Sequence, residues 1–191
     1  IGGAATTMDI QQIEIVRGPQ GTLYGANALA GLINLRSNQP TEQMQGNVSL
    51  SLGDYGTETI SAALGGPINY SLGYRVALQQ HKSDGYISND FLKRDDTDNI
   101  DELSLRAVFD WQLHEELDLT LTLFHVDADN GYDAFSLDNT RRTLSDQPGQ
   151  DRHKANASAL ESRWKGAASF DLISLVSAAD NDLEYGYDVD W

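Results

Sequence analysis

The sequence contains no cysteine, which excludes a disulfide scaffold, a cysteine-ligated zinc site and a thiol nucleophile, and leaves the compartment open. Positive charge is scarce: 13 Lys+Arg stand against 29 Asp+Glu, a net charge of -16. So acidic a chain repels a phosphate backbone, and nucleic acid is not an expected partner. No run approaches the roughly 20 apolar residues of a membrane-spanning helix, and no basic-then-apolar leader opens the chain. Alternating strands hide an apolar face from any average, so the mean hydropathy of -0.43 leaves a membrane β-barrel open. What is present, 40% apolar residues and 17 glycines in 191, suffices for a core and many turns. The chain opens at Ile1 and stops at Trp191 inside what reads as a strand, so both ends are expected to continue.

Charge divides the chain near residue 43. Residues 1–43 hold Asp9, Glu14 and Glu42 against Arg17 and Arg36, leaving 26 acidic and 11 basic residues for the remainder. The first part is punctuated by Gly18, Gly21, Gly25 and Gly31 with Pro19 and Pro40, which reads as short strands joined by tight turns.

From Met44 onward apolar residues fall at every second position, the pattern of a strand with two unlike faces. Met44, Gly46, Val48, Leu50 and Leu52 share one face; Tyr70, Leu72, Tyr74, Val76 and Leu78 repeat it. Leu103, Leu105, Ala107, Phe109 and Trp111 do so against Ser104, Arg106 and Asp110, and Leu117 to Leu123 against Asp118, Thr120 and Thr122. Thr57–Leu64 alternates weakly, Ala155–Lys165 suits a helix stripe as well as a strand, and Phe170–Ala179 is apolar on both faces.

The connections sort by length. Gly65–Asn69, His114–Glu116 and Lys165-Gly166 are tight, whereas roughly Lys82–Asn99 and Asp129–Lys154 read as long polar loops. Gly53-Asp54-Tyr55-Gly56 is short where the parity asks for a long loop. Short turns at one end and long acidic loops at the other fit an outer-membrane barrel, as do Tyr55, Tyr70, Tyr86, Phe109 and Trp111 near strand ends, where an interfacial girdle would lie. A soluble β-sandwich shares the alternation without a reason for the sorting.

Catalytic and metal chemistry finds little support. Arg17 to Gly25 has neither a P-loop ending nor a G-x-G-x-x-G spacing, so nucleotide binding is not expected. Asp127-Ala128-Asp129-Asn130-Gly131 has its glycine one place early for a calcium loop and no glutamate at the twelfth position. Asp95, Asp96, Asp98 and Asp101 read as solvated loop charge. His81, His114, His125 and His153 form no motif, and His125 beside Asp127 reads as a strand-end histidine near water. No enzyme and no resident cofactor is expected.

One segment is more specific. Ile13-Glu14-Ile15-Val16-Arg17-Gly18-Pro19-Gln20-Gly21-Thr22-Leu23-Tyr24-Gly25, followed by Ala30-Gly31-Leu32-Ile33-Asn34-Leu35, resembles the latter half of the plug domain of TonB-dependent outer-membrane receptors. The Gly53–Gly56 turn, the Gly65-Gly66-Pro67 turn and the Asp84-Gly85-Tyr86 step resemble the opening of that family's barrel. Physically, Pro19 breaks the strand begun by Ile13, Ile15 and Val16, and Leu32–Leu35 is expected as a short buried strand in a compact globule.

The resemblance implies a membrane all-β fold: residues 1–42 as the C-terminal part of a plug, and 43–191 as about seven opening strands of a transmembrane antiparallel barrel of about 22. It implies energised uptake of a scarce, bulky nutrient, most often a ferric siderophore, across the outer membrane of a Gram-negative bacterium. The implied partners are outer-membrane lipid, small-molecule cargo, and the TonB complex through a box expected before Ile1. The implied site residues are structural: Glu14, Arg17, Gly18, Pro19, Gly21, Tyr24, Gly25, Gly31 and Asn34, with Arg17 expected to meet wall glutamates on distant strands. The competing reading is an acidic, soluble, β-rich carbohydrate-binding module.

Overall fold

The computed structural model describes residues 7–24, 29–133, 135–136, 138–166 and 170–189. An N-terminal hairpin pairs β1 (Ile10–Arg17) with β2 (Gly31–Ser37), with a one-turn helix α1 (Gly21–Tyr24) between them. The chain then enters an antiparallel sheet of β3 (Gln45–Leu52), β4 (Glu58–Pro67), β5 (Leu72–Ser83), β7 (Ile100–His114), β8 (Leu117–Tyr132), β10 (Gly149–Lys165) and β11 (Asp171–Gly186). The short strands β6 (Ser88–Asn89) and β9 (Arg142–Thr143) lie in the two long connections and pair with each other in parallel. Each sheet strand neighbours the next one met along the chain, so every connection is a local hairpin and the sheet is open at β3 and β11.

Alternation fixes the two faces. One row of cross-strand partners runs Gly66, Tyr74, Phe109, Leu121, Leu160, Val176; the next runs Leu64, Val76, Ala107, Leu123, Ser158, Ala178. These residues share the outward face, where Val48, Leu50, Leu64, Val76, Leu123, Leu160 and Val176 are all exposed. On β7 the outward apolar run extends from Leu103 to Trp111, matching the roughly 9–11 residues of a tilted membrane strand. The opposite face carries Arg75, Ala77, Ser104, Arg106, Val108 and Val126, each at most 9% exposed. An apolar outer face over a polar, covered inner face inverts the order of a soluble sandwich, whose outward face is polar.

The apolar belt crosses the sheet obliquely. One row begins Val48, Ala62, Leu78, Leu105 and continues His125, Asn156, Asp180; the following row runs from Leu50 and Ile60 through Gln80 and Leu103 to Asp127, Lys154, Asp182. Partner rows lie perpendicular to the strands, so a belt parallel to a membrane crosses them at a slant when the strands tilt. At the short-turn end the belt closes on Trp111, Trp164 and Phe170, the last two in edge-to-face contact with centroids 5.8 Å apart.

Several expectations change. Ala155–Lys165 and Phe170–Ala179 are strands; β10 is paired along its length on both sides, which decides between helix and strand. The second long loop is shorter than Asp129–Lys154, because β8 runs to Tyr132 and β10 starts at Gly149. Asp127–Gly131 is extended strand, with Asp127 paired to Lys154 and Asp129 to Arg152, so no loop exists there to wrap a cation. His125 stands inside β8 and bonds Asn156 at 2.8 Å. The strand expected at Leu32–Leu35 is longer and is not buried: Ile33 is 66% exposed. A lone two-stranded sheet has no third layer to cover its isoleucines.

The belt gives a direct test. Leu121→Lys on the outward face is expected to cost about 2–4 kcal/mol of folding stability in lipid, whereas Thr122→Lys on the inner face changes it by under about 1. Equal effects, measured by urea unfolding in liposomes, would contradict this assignment of faces.

Candidate functional site

The singled-out motif forms the hairpin and its turn. Glu14 and Asn34 are cross-strand partners, with Asn34 Nδ2 donating to Glu14 Oε2 at 2.8 Å while Gln12 donates to the other oxygen at 3.1 Å. Gly18 leaves β1 with φ of +89°, a conformation that a side chain would strain, and its N–H bonds Ala30 O at 3.1 Å. Pro19 ends the strand, Gly21 opens α1, and Tyr24 closes it with its N–H on Gln20 O at 3.0 Å. Gly31 opens β2 opposite Arg17. Gly25 lies outside the described residues. Arg17 is exposed and meets no carboxylate among the described residues.

An ion pair does join hairpin to sheet at another position, with the carboxylate on the hairpin side. Asp9 precedes β1 in a left-handed conformation, φ 51°, which turns its carboxylate onto the inner face. Arg75 on β5 grips it with two hydrogen bonds, Nε to Oδ2 at 2.6 Å and Nη2 to Oδ1 at 2.5 Å. Asn38 Nδ2 adds a bond to Oδ1 at 2.8 Å. Arg106 on β7 donates Nη2 to the carbonyl oxygens of Met8 and Asp9 at 2.7 and 2.9 Å, and stands 3.8 Å from the carboxylate. Met8, only 4% exposed, packs beside this clasp with Ala63 and Ala77.

The clasp is well shielded: side-chain exposures are 5% for Asp9, 10% for Arg75 and 9% for Arg106. Burial alone would raise the Asp9 carboxyl, but the hydrogen bonds from Arg75 and Asn38 and the two guanidinium charges outweigh it and hold the pKa below 3.8. A carboxyl depressed in the folded state stabilises above its unfolded pKa and loses that contribution as pH falls through the folded value. The Asp9 carboxylate therefore keeps its charge at neutral pH, and the clasp loses that contribution only in acid.

At the opposite end the two long connections are stitched together. Asn89, 1% exposed, donates to Asp133 Oδ2 and Ser145 O, both at 2.9 Å, and accepts from Leu92 N at 2.7 Å. Thr143 also donates to Asp133, at 3.2 Å. Arg142 forks onto Asp90 with two bonds of 2.6 Å. Arg141 donates to Tyr55 Oη at 2.8 Å and lies over the Tyr86 ring at 5.9 Å. Tyr55 and Tyr86 thus contribute to this tie. In the Asp95–Asp101 group, Asp96 pairs with Arg94 and Asp101 with Lys82 while all four side chains stay about half exposed, as solvated loop charge does; only for Asp98 does burial raise the pKa. Among the described residues no cluster suits a metal ion.

Comparison with known proteins agrees with this architecture. No protein-family model matches the chain. It is 36% identical over 89 residues to the pesticin receptor of Yersinia enterocolitica, covering 46% of this chain and 13% of that protein. It is 23% identical over 130 residues to the vitamin B12 transporter BtuB of Vibrio vulnificus, covering 68% and 21%. In three dimensions it matches the ferric yersiniabactin uptake receptor FyuA of Yersinia pestis with a TM-score of 0.84 and 19% identity, over 95% of this chain and 30% of that one. The ferric-catecholate import receptor Fiu of E. coli K12 matches at 0.79 and 17%, over 97% and 31%. In sequence, sheet and outward belt the chain is similar to TonB-dependent, siderophore-receptor-like proteins. It belongs to the outer membrane, and it spans under a third of the length of these relatives.

Two substitutions probe the site. Asp9→Ala leaves the shielded Arg75 guanidinium unpaired and removes the countercharge beside Arg106; it is expected to cost about 3–5 kcal/mol, of which Arg75→Met in the same chain restores part. Hydrogen exchange across 10–37 reads this, and a loss under about 1 kcal/mol would contradict the clasp. Asn89→Leu removes the donor to Asp133 Oδ2 and to the Ser145 carbonyl, a cost of about 1–3 kcal/mol for each buried atom left unbonded. Limited proteolysis is expected to nick 84–99 and 133–148 together; cleavage of one alone would show that they are not stitched.

Proposed function

We propose that this chain supplies the end of the plug, residues 1–42, and the opening wall strands, residues 43–191, of a receptor that imports a ferric siderophore across the outer membrane. The seven strands are then the first of about 22, and the inner-face clasp at Asp9 is where plug meets wall. The observation that carries this reading is the oblique outward belt above a polar inner face on which Met8 and Asp9 rest. A free edge on each side of so long a sheet invites aggregation unless further strands cover it, which also favours a closed barrel in the parent. Cargo would pass between plug and wall when TonB draws on a segment N-terminal to these residues. Arg17, open on the hairpin, keeps its expected role toward carboxylates on strands farther round the wall.

The carbohydrate-module reading accounts poorly for the belt, since a soluble domain rarely exposes a continuous apolar face of this extent. The test is uptake by cells carrying the full reading frame. The protein is expected in the outer-membrane fraction, and radioactive iron presented as a siderophore complex should enter iron-starved cells only while TonB is present. Recovery as a soluble monomer, or uptake unaffected by loss of TonB, would overturn the proposal.

A further inference from the structure

The two long connections meet over a carboxylate that, among the described residues, pairs with no cation. Asp133 stands just past the end of β8 and is 4% exposed. Its oxygens accept from Asn89 Nδ2 at 2.9 Å and Thr143 Oγ1 at 3.2 Å, both neutral donors. Thr97 to Asn99 lie against the same end of β8: the Gly131 N–H bonds Asn99 O at 2.9 Å, and a Cβ on Gly131 would overlap the Thr97 carbonyl. On the other side, a Cβ on Gly85 would overlap the Asp98 carbonyl. Asp98 is thus wedged between the Gly85 turn and the end of β8, where its carboxylate faces the N–H and the carboxylate of Asp133.

The surrounding elements bring no compensating charge. The cations of the two connections are Lys93, Arg94, Arg141 and Arg142. Lys93 faces Asp90, Arg94 pairs with Asp96, Arg142 forks onto Asp90, and Arg141 is taken by Tyr55 and Tyr86. From the Gly85 turn, the Asp84 carboxylate is directed at Gly56. From β7, Asp101 is held by Lys82, and from β8, Asp129 is held by Arg152. The second connection offers Thr143 and Ser145, which are buried and neutral. The charge that acts on Asp98 is therefore that of Asp133, and it has the same sign. Burial first, and this like charge after it, raise the Asp98 pKa above 3.8 although the Asp133 N–H lowers it.

We infer that Asp98 is a proton-operated latch between the two long connections: when neutral it lets them close over Asp133, and when ionised it drives them apart. Two neighbouring carboxylates shielded from water cannot both ionise without cost. A carboxyl whose folded pKa lies above its unfolded one stabilises fully below the unfolded value, and that contribution is lost as pH rises through the folded one. The latch is tight in acid and loosens toward neutral pH, the reverse of the Asp9 clasp. Asn89, bonded to both Asp133 and Ser145, sets what responds: 84–99 and 133–148 move together. The latch goes beyond the receptor reading, which it uses only for the side of the membrane that the two connections face.

The experiment follows hydrogen exchange of 84–99 and 133–148 in the full-length receptor in proteoliposomes, from about pH 8 to about pH 5, corrected for the intrinsic pH dependence of exchange. Protection in both segments is expected to rise at least about threefold toward the acid end. Asp98→Asn, neutral throughout, is expected to hold the high protection at every pH, whereas Asp96→Asn keeps the wild-type response. Infrared difference spectra over the same range add a direct readout of the proton: wild type shows a carboxylic-acid band in mild acid that Asp98→Asn lacks. Asp98→Ser takes its place if Asp98→Asn does not assemble in the membrane. Protection that rises with pH, a response that survives in the Asp98 variant, or an acid band that persists there would overturn the latch. So would calcium ions that tighten both connections at about pH 8 to the level reached in acid, since the two carboxylates would then serve a cation in place of a proton.

Discussion

Backbone N–H and C=O groups have no water to bond with inside a bilayer, so a strand can lie there only if a neighbour satisfies each of them. The rest of this structure follows from that requirement. It explains why the sheet is built of consecutive antiparallel hairpins, why β8 and β10 are paired residue by residue from Leu117–Trp164 to Tyr132–Gly149, and why short turns suffice at one end. Once the ladder is fixed, side chains have only two directions available. The outward one must be apolar over the thickness of the membrane, and the inward one is free to carry charge and polar contacts. The slant of the belt across the partner rows follows from the tilt that such strands need.

The inward freedom is used at two levels. Near the middle of the wall, two arginines that would be costly alone become a socket for one carboxylate and two carbonyls, fixing Met8–Asp9 against β5 and β7. Nearer the long loops the inner face turns acidic and aromatic, and the loops above it are held as a pair by Asn89 and Asp133. A hairpin anchored by a clasp of this kind stays in register with β5 and β7 at neutral pH.

Much of the sheet was legible because period-two alternation is a local signal. Leu103 to Trp111 and Leu117 to Leu123 announce both strand and face without any knowledge of partners. β10 was ambiguous because Ala157, Leu160, Glu161 and Trp164 satisfy helical spacing, and only its two neighbours decide the matter. β11 was obscured by Ile173 and Leu175, which place apolar groups on the inner face as well. The clasp was missed because its members lie 66 and 97 positions apart in the chain, and attention went to Arg17 through its motif. A usable signal was present: alternation puts Arg75 and Arg106 on the inner face of their strands, and a cation shielded there requires a partner. The stitching of the loops left no local trace, since Asn89 and Asp133 look like ordinary turn residues until the fold brings them together. The family resemblance supplied what alternation could not, the association of the glycine-punctuated hairpin with a wall.

The central claim is that one face of the sheet meets lipid. Single cysteines placed in turn at positions 117 to 124 of the membrane-embedded receptor, each carrying a nitroxide spin label, report it through collision with oxygen and with a water-soluble nickel chelate. Labels at 117, 119, 121 and 123 are predicted to be open to oxygen and closed to nickel, with the opposite at 118, 120, 122 and 124. A profile without two-residue alternation, or one with the opposite phase, would contradict the account.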